Sequence, residues 1–321
     1  MKLLQSTLLE TFVAVVECGG FTEAQYRLGI SQSAISLRIR DLEVLLGYRL
    51  CARGRGGFRM TERGEIAFRK AREGLRKARD FDADMLALKG GLTGDLRIGT
   101  VDAIRSLPGL DLAALIGRFL QRPNEIRLEM TQGSPVELTQ QLLSGTLHLA
   151  LAPFRNQLPE LQYQEICREE HRLYCGVGHP LYDRAAAEVD PQELSRFPLC
   201  CRTYEPALFS QDTLQAGTAQ AVNAQLMNGQ GEGAQVDNME AMALLIESGR
   251  FLGTLPTHFA QAGLRSGRIQ ELKHSSLRWY STFFLALRPQ QLQRDVVARF
   301  VEDLGADPRG TTRGTARPRS P

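Results

Sequence analysis

Apolar residues recur through the first ninety positions at the three- and four-residue steps of helices. Leu4, Leu8 and Phe12, with Leu9, Val13 and Val16, form one broad stripe. This predicts a helix over residues 3–18, stopped by Gly19 and Gly20. Thr22 followed three residues later by Gln25 has the form of a capping box and opens a second helix. Ala24 and Leu28 face inward there, and Gly29 suits the C-cap. Ser31 suits the N-cap of a third helix. On that helix Ile35, Ile39, Leu42 and Leu46 fall within about 60° of one another, which marks the core side. Ser33, Ser36 and Arg40 share an arc of about 60° on the far side, with Leu37 beside them. Two short helices joined by a Gly-containing turn have the spacing of a helix-turn-helix.

Residues 48–60 alternate Arg49, Arg53, Arg55 and Arg59 with Leu50, Phe58 and Met60, broken by Gly54, Gly56 and Gly57. A short basic hairpin, or wing, is predicted, with a tip that can reach a nucleic-acid backbone. Over residues 61–88, Phe68, Ala71, Leu75, Ala78, Phe81, Met85 and Leu88 recur as a narrow seam, which suggests pairing with a second copy. A Gly-rich hinge follows at 90–94. From Leu96 the pattern changes to strands alternating with helices. Strands are predicted at 96–100, 126–130, 147–152, 172–177, 198–202, 234–236, 250–255 and 279–288. Helices are predicted at 108–120, 134–143, 239–247 and 295–304. Such alternation argues a parallel sheet with ligand sites at the carboxyl ends of its strands.

Net charge changes the picture once it is divided. Residues 1–90 hold 16 basic and 11 acidic side chains, net +5, and residues 305–321 hold four and one, net +3. The stretch 91–304 is net −5. A basic N-terminal part suits phosphate neutralisation. The first turn of the third helix is free of carboxylates, since Asp41 and Glu43 come only later. Hydroxyls serve donor or acceptor base edges, Gln suits adenine, Arg suits guanine and Leu packs on a thymine methyl. Cys18, Cys51, Cys167, Cys175, Cys200 and Cys201 form no C-x-x-C pair, and reduced thiols are expected. No apolar run approaches the ~20 residues of a membrane span, and no signal peptide is recognised, so a cytoplasmic location and no membrane partner are expected. G-x-S-x-G, P-loop, H-E-x-x-H and strand-following G-x-G-x-x-G motifs are missing, which argues against an enzyme and gives no cofactor or metal site.

The residues Leu9-x-x-Phe12, Gly20-Phe21-Thr22-x-Ala24, Leu28-x-Ile30-Ser31-Gln32-Ser33-Ala34-Ile35-Ser36, Ile39-x-x-Leu42-Glu43, Leu46-Gly47, Leu50, Arg53 and Met60-Thr61-Glu62-x-Gly64 resemble the N-terminal signature of LysR-type transcriptional regulators. It covers about 60 residues. Gln25 stands where the family usually has Ala, Leu37 where it has a basic or polar residue, and Cys51 where it has Phe. Residues 125–152, Gly178-His179-Pro180-Leu181 and 248–256 resemble the effector-binding half, with His148 departing from a usual Asp and read as hinge packing.

The resemblance implies an α+β multidomain chain. A winged helix-turn-helix at 1–60 and a linker helix at 61–90 would precede a two-lobed, periplasmic-binding-protein-like effector domain at 91–304. Lobe I would comprise about 91–163 and 266–304, and lobe II about 164–265, with a disordered tail at 305–321. The DNA-reading residues would be Ser31, Gln32, Ser33, Ser36, Leu37 and Arg40, with Arg53 and Arg55 from the wing. A small effector of unknown identity would lie between the lobes against Thr100, Asp102, Gln132, Ser134, Cys201, Arg202 and Thr203. Hydroxyls and helix N-termini there would hold an anion, and Asp102 would pair with Arg202 or select an amine. Partners would be double-stranded promoter DNA, further copies of the chain in a dimer and then a homotetramer, and RNA polymerase as a further contact that the family allows. Two other readings stay open on the residues alone: a small-molecule receptor whose N-terminal domain mainly oligomerises, and a redox-sensing regulator using Cys200 and Cys201.

Overall fold

The computed structural model describes residues 7–52, 58–87, 92–122, 124–184, 189, 191–194, 196–203, 233–273 and 278–305. It divides into two compact units, residues 1–95 and 96–321. Arg53 and Arg55 of the expected wing, Leu88 of the seam and residues 306–321 of the tail lie outside the described residues.

In the first unit, α1 (Thr7–Glu17), α2 (Phe21–Leu28) and α3 (Gln32–Leu46) surround a core of Phe12, Val15, Ala24, Ile35, Ile39, Leu42, Leu50 and Cys51. The core side of α3 is the predicted one. α2 differs at its start: Gly20 is its N-cap and no side chain caps it, so the Thr22–Gln25 capping box does not form. The helix already begins at Phe21, which packs edge-on against Phe58 with centroids 5.9 Å apart. Gly29 ends α2 at φ 64°, where a left-handed residue lets its N–H return to the Gln25 carbonyl. Ser31 caps α3, its hydroxyl accepting from the Ala34 N–H at 3.3 Å.

Strands β1 (Cys51–Ala52) and β2 (Arg59–Met60) pair antiparallel, Cys51 opposite Met60. The long helix α4 (Glu62–Ala87) then starts hard against the wing. A Cβ on Gly64 would lie 2.1 Å from the Leu50 carbonyl oxygen, so only glycine fits. The seam of α4 is divided. Ala71 and Leu75 are buried with Val13 of α1, and Phe68 packs against them, while Phe81 and Met85 remain exposed.

Among the described residues the second unit is one curled, mixed sheet of nine strands with helices on it. β3 (Leu92–Thr100), α5 (Leu112–Leu120), β4 (Asn124–Gln132), α6 (Pro135–Leu143) and β5 (Leu149–Ala152) build the first lobe, with β3 and β5 parallel. β6 (Gln162–Gly176) then crosses to the second lobe. That lobe holds a short helix α7 (Pro191–Leu194), β7 (Leu199–Arg202), β8 (Ala234–Val236) and α8 (Met239–Glu247). β9 (Leu252–Pro256), α9 (Thr257–Arg265) and β10 (Ile269–Glu271) complete it. β11 (Arg278–Leu287) returns to the first lobe, where α10 (Asp295–Asp303) closes the chain on α5 through Phe119 and Phe300.

The sheet is therefore not purely parallel. β6 and β11 run antiparallel along their length, with a register shift at Phe283/Phe284, and they carry the hydrogen bonding from one lobe to the other. The sequence pattern does not mark residues 162–171 as strand, because QYQEICREEH holds three Glu, one Arg and one His within ten positions. The return to the first lobe also comes later than 266. β10 pairs with the Tyr174–Gly176 end of β6, and Leu272 and Trp279 pack in a second-lobe cluster with Leu173, Leu181 and Leu252. His148 is fully buried, with Nδ1 3.3 Å from the backbone nitrogen of Arg97 and Nε2 beside the Arg97 guanidinium; one tautomer can accept from only one of the two. Among the described residues no helix is long and apolar enough to cross a membrane.

Candidate functional site

Two surfaces could carry function, one in each unit. On α3, Ile35, Ile39 and Leu42 turn into the core, so Gln32, Ser33, Leu37, Arg40 and Asp41 turn out. Ser36 is half-buried and Leu37 is 48% exposed. Ser31 lies at the head of this face, and its hydroxyl also sits 2.9 Å from that of Ser33. Arg38 is not part of it. Its guanidinium donates to Thr11 Oγ1 at 3.3 Å, which ties α3 to α1. The outward face thus offers amide, hydroxyl, methyl and guanidinium groups, with no carboxylate before Asp41.

Glu43 contributes from the buried side of α3, although it is not among the expected DNA-reading residues. It is buried at 7%, and one carboxylate oxygen accepts from the backbone N–H of Leu50 at 2.7 Å and of Cys51 at 3.2 Å. These are the first residues of the wing, so a side chain of the outward-facing helix holds the wing in place. The sequence carries one hint, a carboxylate close to the core side of α3. That signal is weak: at about 100° per residue Glu43 falls between Ser36 and Ile39, at the border of the two faces rather than on the apolar arc.

In the second unit the lobes meet through the loop after β3. Asp102 of lobe I accepts from Arg202 Nη2 of lobe II at 3.1 Å and, through its other oxygen, from the backbone N–H of Met239. Ala103 follows at φ 58°, a left-handed conformation that costs a non-glycine residue about 1 kcal/mol. Its methyl packs on the second-lobe cluster of Val236, Met239 and Met242. Ser106 then meets His258 Nδ1 at 2.8 Å, and His258 Nε2 meets Glu169 of the crossing strand β6 at 2.7 Å. The other Glu169 oxygen faces His171 Nε2 at 2.8 Å, and His171 stacks on Trp279 with centroids 5.4 Å apart. Burial opposes the charge on Glu169, but the hydrogen bonds and charges of His171 and His258 outweigh it and hold the carboxyl down at about 2. Ser106, Glu169, His171 and His258 are not among the residues expected at the site; they come from three separate elements, and no local pattern links them.

The other expected effector residues divide. Thr100 is buried at the end of β3, and its carbonyl accepts from the Gly133 N–H beside Gln132 and Ser134. Ser134 begins α6, but its hydroxyl and N–H both donate to Glu137 at 2.8 Å in a full capping box. The donors imagined for a ligand are thus already taken by a local carboxylate. Thr203 is exposed beyond β7. Cys201 does not join Arg202. Alternation along β7 turns Cys201 to the Leu199 side, into a different apolar cluster. Cys200 is fully buried, donates to Met242 Sδ at 3.1 Å, and burial pushes its thiol up to about 12. Burial also raises Cys201. Both have the character of packing thiols rather than of reactive ones.

Comparison with known proteins decides what these two surfaces belong to. A family model described as "Bacterial regulatory helix-turn-helix protein, lysR family" matches residues 6–65, and one described as "LysR substrate binding domain" matches residues 89–307. The chain belongs to the LysR family. It is a transcriptional regulator with a helix-turn-helix and an effector-binding domain, and the family is not enzymatic. Among LysR relatives, the HTH-type transcriptional activator BauR of Pseudomonas aeruginosa is 31% identical over 296 residues, which is 92% of each chain. The SDS degradation transcriptional activation protein of a Pseudomonas species is 28% identical over 268 residues, 83% of each. The fold is that of full-length CbnR, a structure described as a complex with its target DNA. The TM-score is 0.63 at 21% identity, covering 93% of this chain and 98% of that one.

Proposed function

We propose that this LysR-family chain reads promoter DNA through the outward face of α3 and that a small effector acting at the Asp102–Arg202 junction of its lobes sets when it does so. The observation that carries the reading is the α3 face: Ser31, Gln32, Ser33, Ser36, Leu37 and Arg40 on a helix whose opposite side is fully committed to the core. Arg53 and Arg55, in the wing that Glu43 anchors, would add phosphate contacts. The solved complex of CbnR with DNA supports this use of the fold.

Exposed Phe81 and Met85 on the far half of α4 support pairing with a second copy. Two such units would read a pseudo-palindromic site, and a pair of dimers would form the tetramer. The setting is the cytoplasm, with RNA polymerase as the downstream partner. The effector site would comprise Thr100, Asp102, Gln132, Arg202 and Thr203; Ser134, bonded to Glu137, and Cys201, on the other face of β7, drop out of it.

Binding to the DNA upstream of its own gene tests the reading. Fluorescence anisotropy of the full chain should give a log–log slope of affinity against salt of about −5 or steeper, from counterion release. A flat response, or no protected site, would count against it. Leu37→Arg tests the face itself. Site selection with this variant should shift the preference at one base position toward guanine, by about 1–3 kcal/mol of discrimination. Stability should change by no more than about 0.5 kcal/mol, since Leu37 is half exposed. Recovery of the same selected site by both proteins would remove Leu37 from the reading face.

A further inference from the structure

We infer that lobe II carries a receptor for a carboxylate, formed by the Arg202 guanidinium and the Met239 N–H, and that Asp102 of lobe I fills it as a tethered stand-in for the carboxylate of the effector. The inference rests on the effector reading above and names the chemical class of the ligand.

Three features set this contact apart from ordinary capping. Arg202 is only 6% exposed, and a guanidinium held that far from water requires an anion. The helix α8 already has its own cap, since Asn238 Oδ1 accepts from the Ala241 N–H at 2.8 Å. The Met239 N–H is left over for a ligand from elsewhere. It takes a carboxylate 137 positions away in sequence, across the lobe junction. At the corresponding helix in lobe I the first residue is Pro135, which has no N–H to offer, and the N–H and hydroxyl of the N-cap Ser134 are taken by Glu137. The lobe II donors therefore depend on closure of the lobes and the lobe I donors do not.

The loop that delivers Asp102 is built to leave. Ala103 sits in the left-handed region, and its methyl is a small plug on the second-lobe cluster. Ser106 holds His258 from an exposed position. A free carboxylate would satisfy the same guanidinium and N–H without holding the loop. Its binding would exchange one carboxylate for another, leave the buried charge of Arg202 neutralised throughout, and free residues 102–106. A neutral or cationic effector could not make that exchange. The device couples ligand chemistry to lobe geometry by direct competition.

Chemical rescue tests the receptor with the full-length chain. Asp102→Ala removes the tethered carboxylate and leaves the donors in place. The variant should melt lower than the wild type by roughly 5 °C or more. Sodium acetate should restore a saturable part of that loss, with half effect between about 1 and 100 mM, while sodium chloride at equal ionic strength should not. Phosphate in a parallel titration separates a carboxylate receptor from a general anion site: equal rescue by phosphate would overturn the carboxylate assignment. The wild type should not respond, and Asp102→Ala with Arg202→Met should not respond either. Acetate rescue that survives the loss of Arg202, or a folded Asp102→Ala protein indifferent to acetate, would overturn the proposal. If the alanine variant does not fold, Asp102→Asn serves, because its amide is a weaker partner for the guanidinium. It should be stabilised by acetate at concentrations that leave the wild type unchanged, and equal behaviour of the two would overturn the proposal. Specific DNA binding, measured separately, reports on the regulator reading and is not decided by these titrations.

Discussion

Replacing Glu43 by alanine is expected to lower the stability of the N-terminal unit by about 3 kcal/mol and to weaken DNA binding more than any single change on the exposed face of α3. The carboxylate is buried and accepts from two backbone N–H groups at the start of the wing. Without it the N–H groups of Leu50 and Cys51 lose a buried carboxylate acceptor, and a buried donor that loses its acceptor costs about 1–3 kcal/mol. For a unit of this size, a loss of about 3 kcal/mol lowers the melting temperature by more than about 10 °C. The ion pair with Arg49 adds little to this. It spans 3.6 Å, and Arg49 is 70% exposed, so water screens it.

Glu43→Gln separates the two contributions. Its amide oxygen can accept from Leu50 and Cys51 as the carboxylate does, so most of the stability should return. The wing is then held while the charge is gone. DNA affinity at low salt should be close to wild type for the glutamine variant and at least ten-fold weaker for the alanine variant. Thermal melting and anisotropy on the same preparations give both numbers. An alanine variant that melts and binds like the wild type would show that the wing is positioned by something other than Glu43.

The second large effect is expected at Glu169. Its carboxyl lies between His171 and His258, at the strand that joins the lobes, and its folded value of about 2 is below the ordinary glutamate value of 4.5. A lowered carboxyl favours the folded state wherever it is ionised. The contribution is fully present above about pH 4.5 and is lost as pH falls from there towards about 2. The shift corresponds to something on the order of 3 kcal/mol at neutral pH. Glu169→Gln should therefore be clearly less stable than the wild type at pH 7, and the two should converge as the solution is acidified. Denaturant midpoints of the second unit, followed across that range, measure the convergence. Parallel curves for the two proteins would mean that the charge on Glu169 does not stabilise the junction. Because His258 also holds Ser106, the variant should loosen the loop that carries Asp102 as well.

The helices of the first unit were legible because each one states its two faces in a short stretch of chain. Ile35, Ile39 and Leu42 point inward for the same reason that Ser33, Leu37 and Arg40 point outward, and a period of 3.6 residues is enough to see it. Gly29 and Ser31 mark the turn between α2 and α3 by conformation and by hydrogen bonding, both local properties. The capping box at Thr22 failed because a competing local choice, Gly20 at the N-cap with Phe21 packed on Phe58, starts the helix earlier. That choice depends on a partner 37 residues away, which no window around Thr22 contains.

The lobe junction was less legible, and the reason is sequence separation. A pairing of Asp102 with Arg202 was one of two alternatives expected at the strand ends, and the fold makes it at 3.1 Å, but the Met239 N–H as the second donor had no mark in the sequence. Nothing in the chain around His171 or His258 announces that both share Glu169. The polar strand QYQEICREEH hid the crossing, because a strand that joins two lobes is not obliged to alternate like one that covers a single core. Cys201 was misplaced for a simpler reason: its neighbour Arg202 faces the junction, and the pleat turns adjacent side chains to opposite faces.

By itself, then, the sequence determined the local objects: the helix pair with its committed and free faces, the basic wing segment, and the order of strands and helices that follows. These depend on periodicity and capping, interactions that span a few residues. Only the tertiary structure decided which polar groups meet. The pairing of Glu43 with the wing, of Glu169 with two histidines and of Asp102 with Arg202 and Met239 arises from burial. A charge removed from water must find partners in whatever the fold brings near it, and that choice is made by the packing of distant elements.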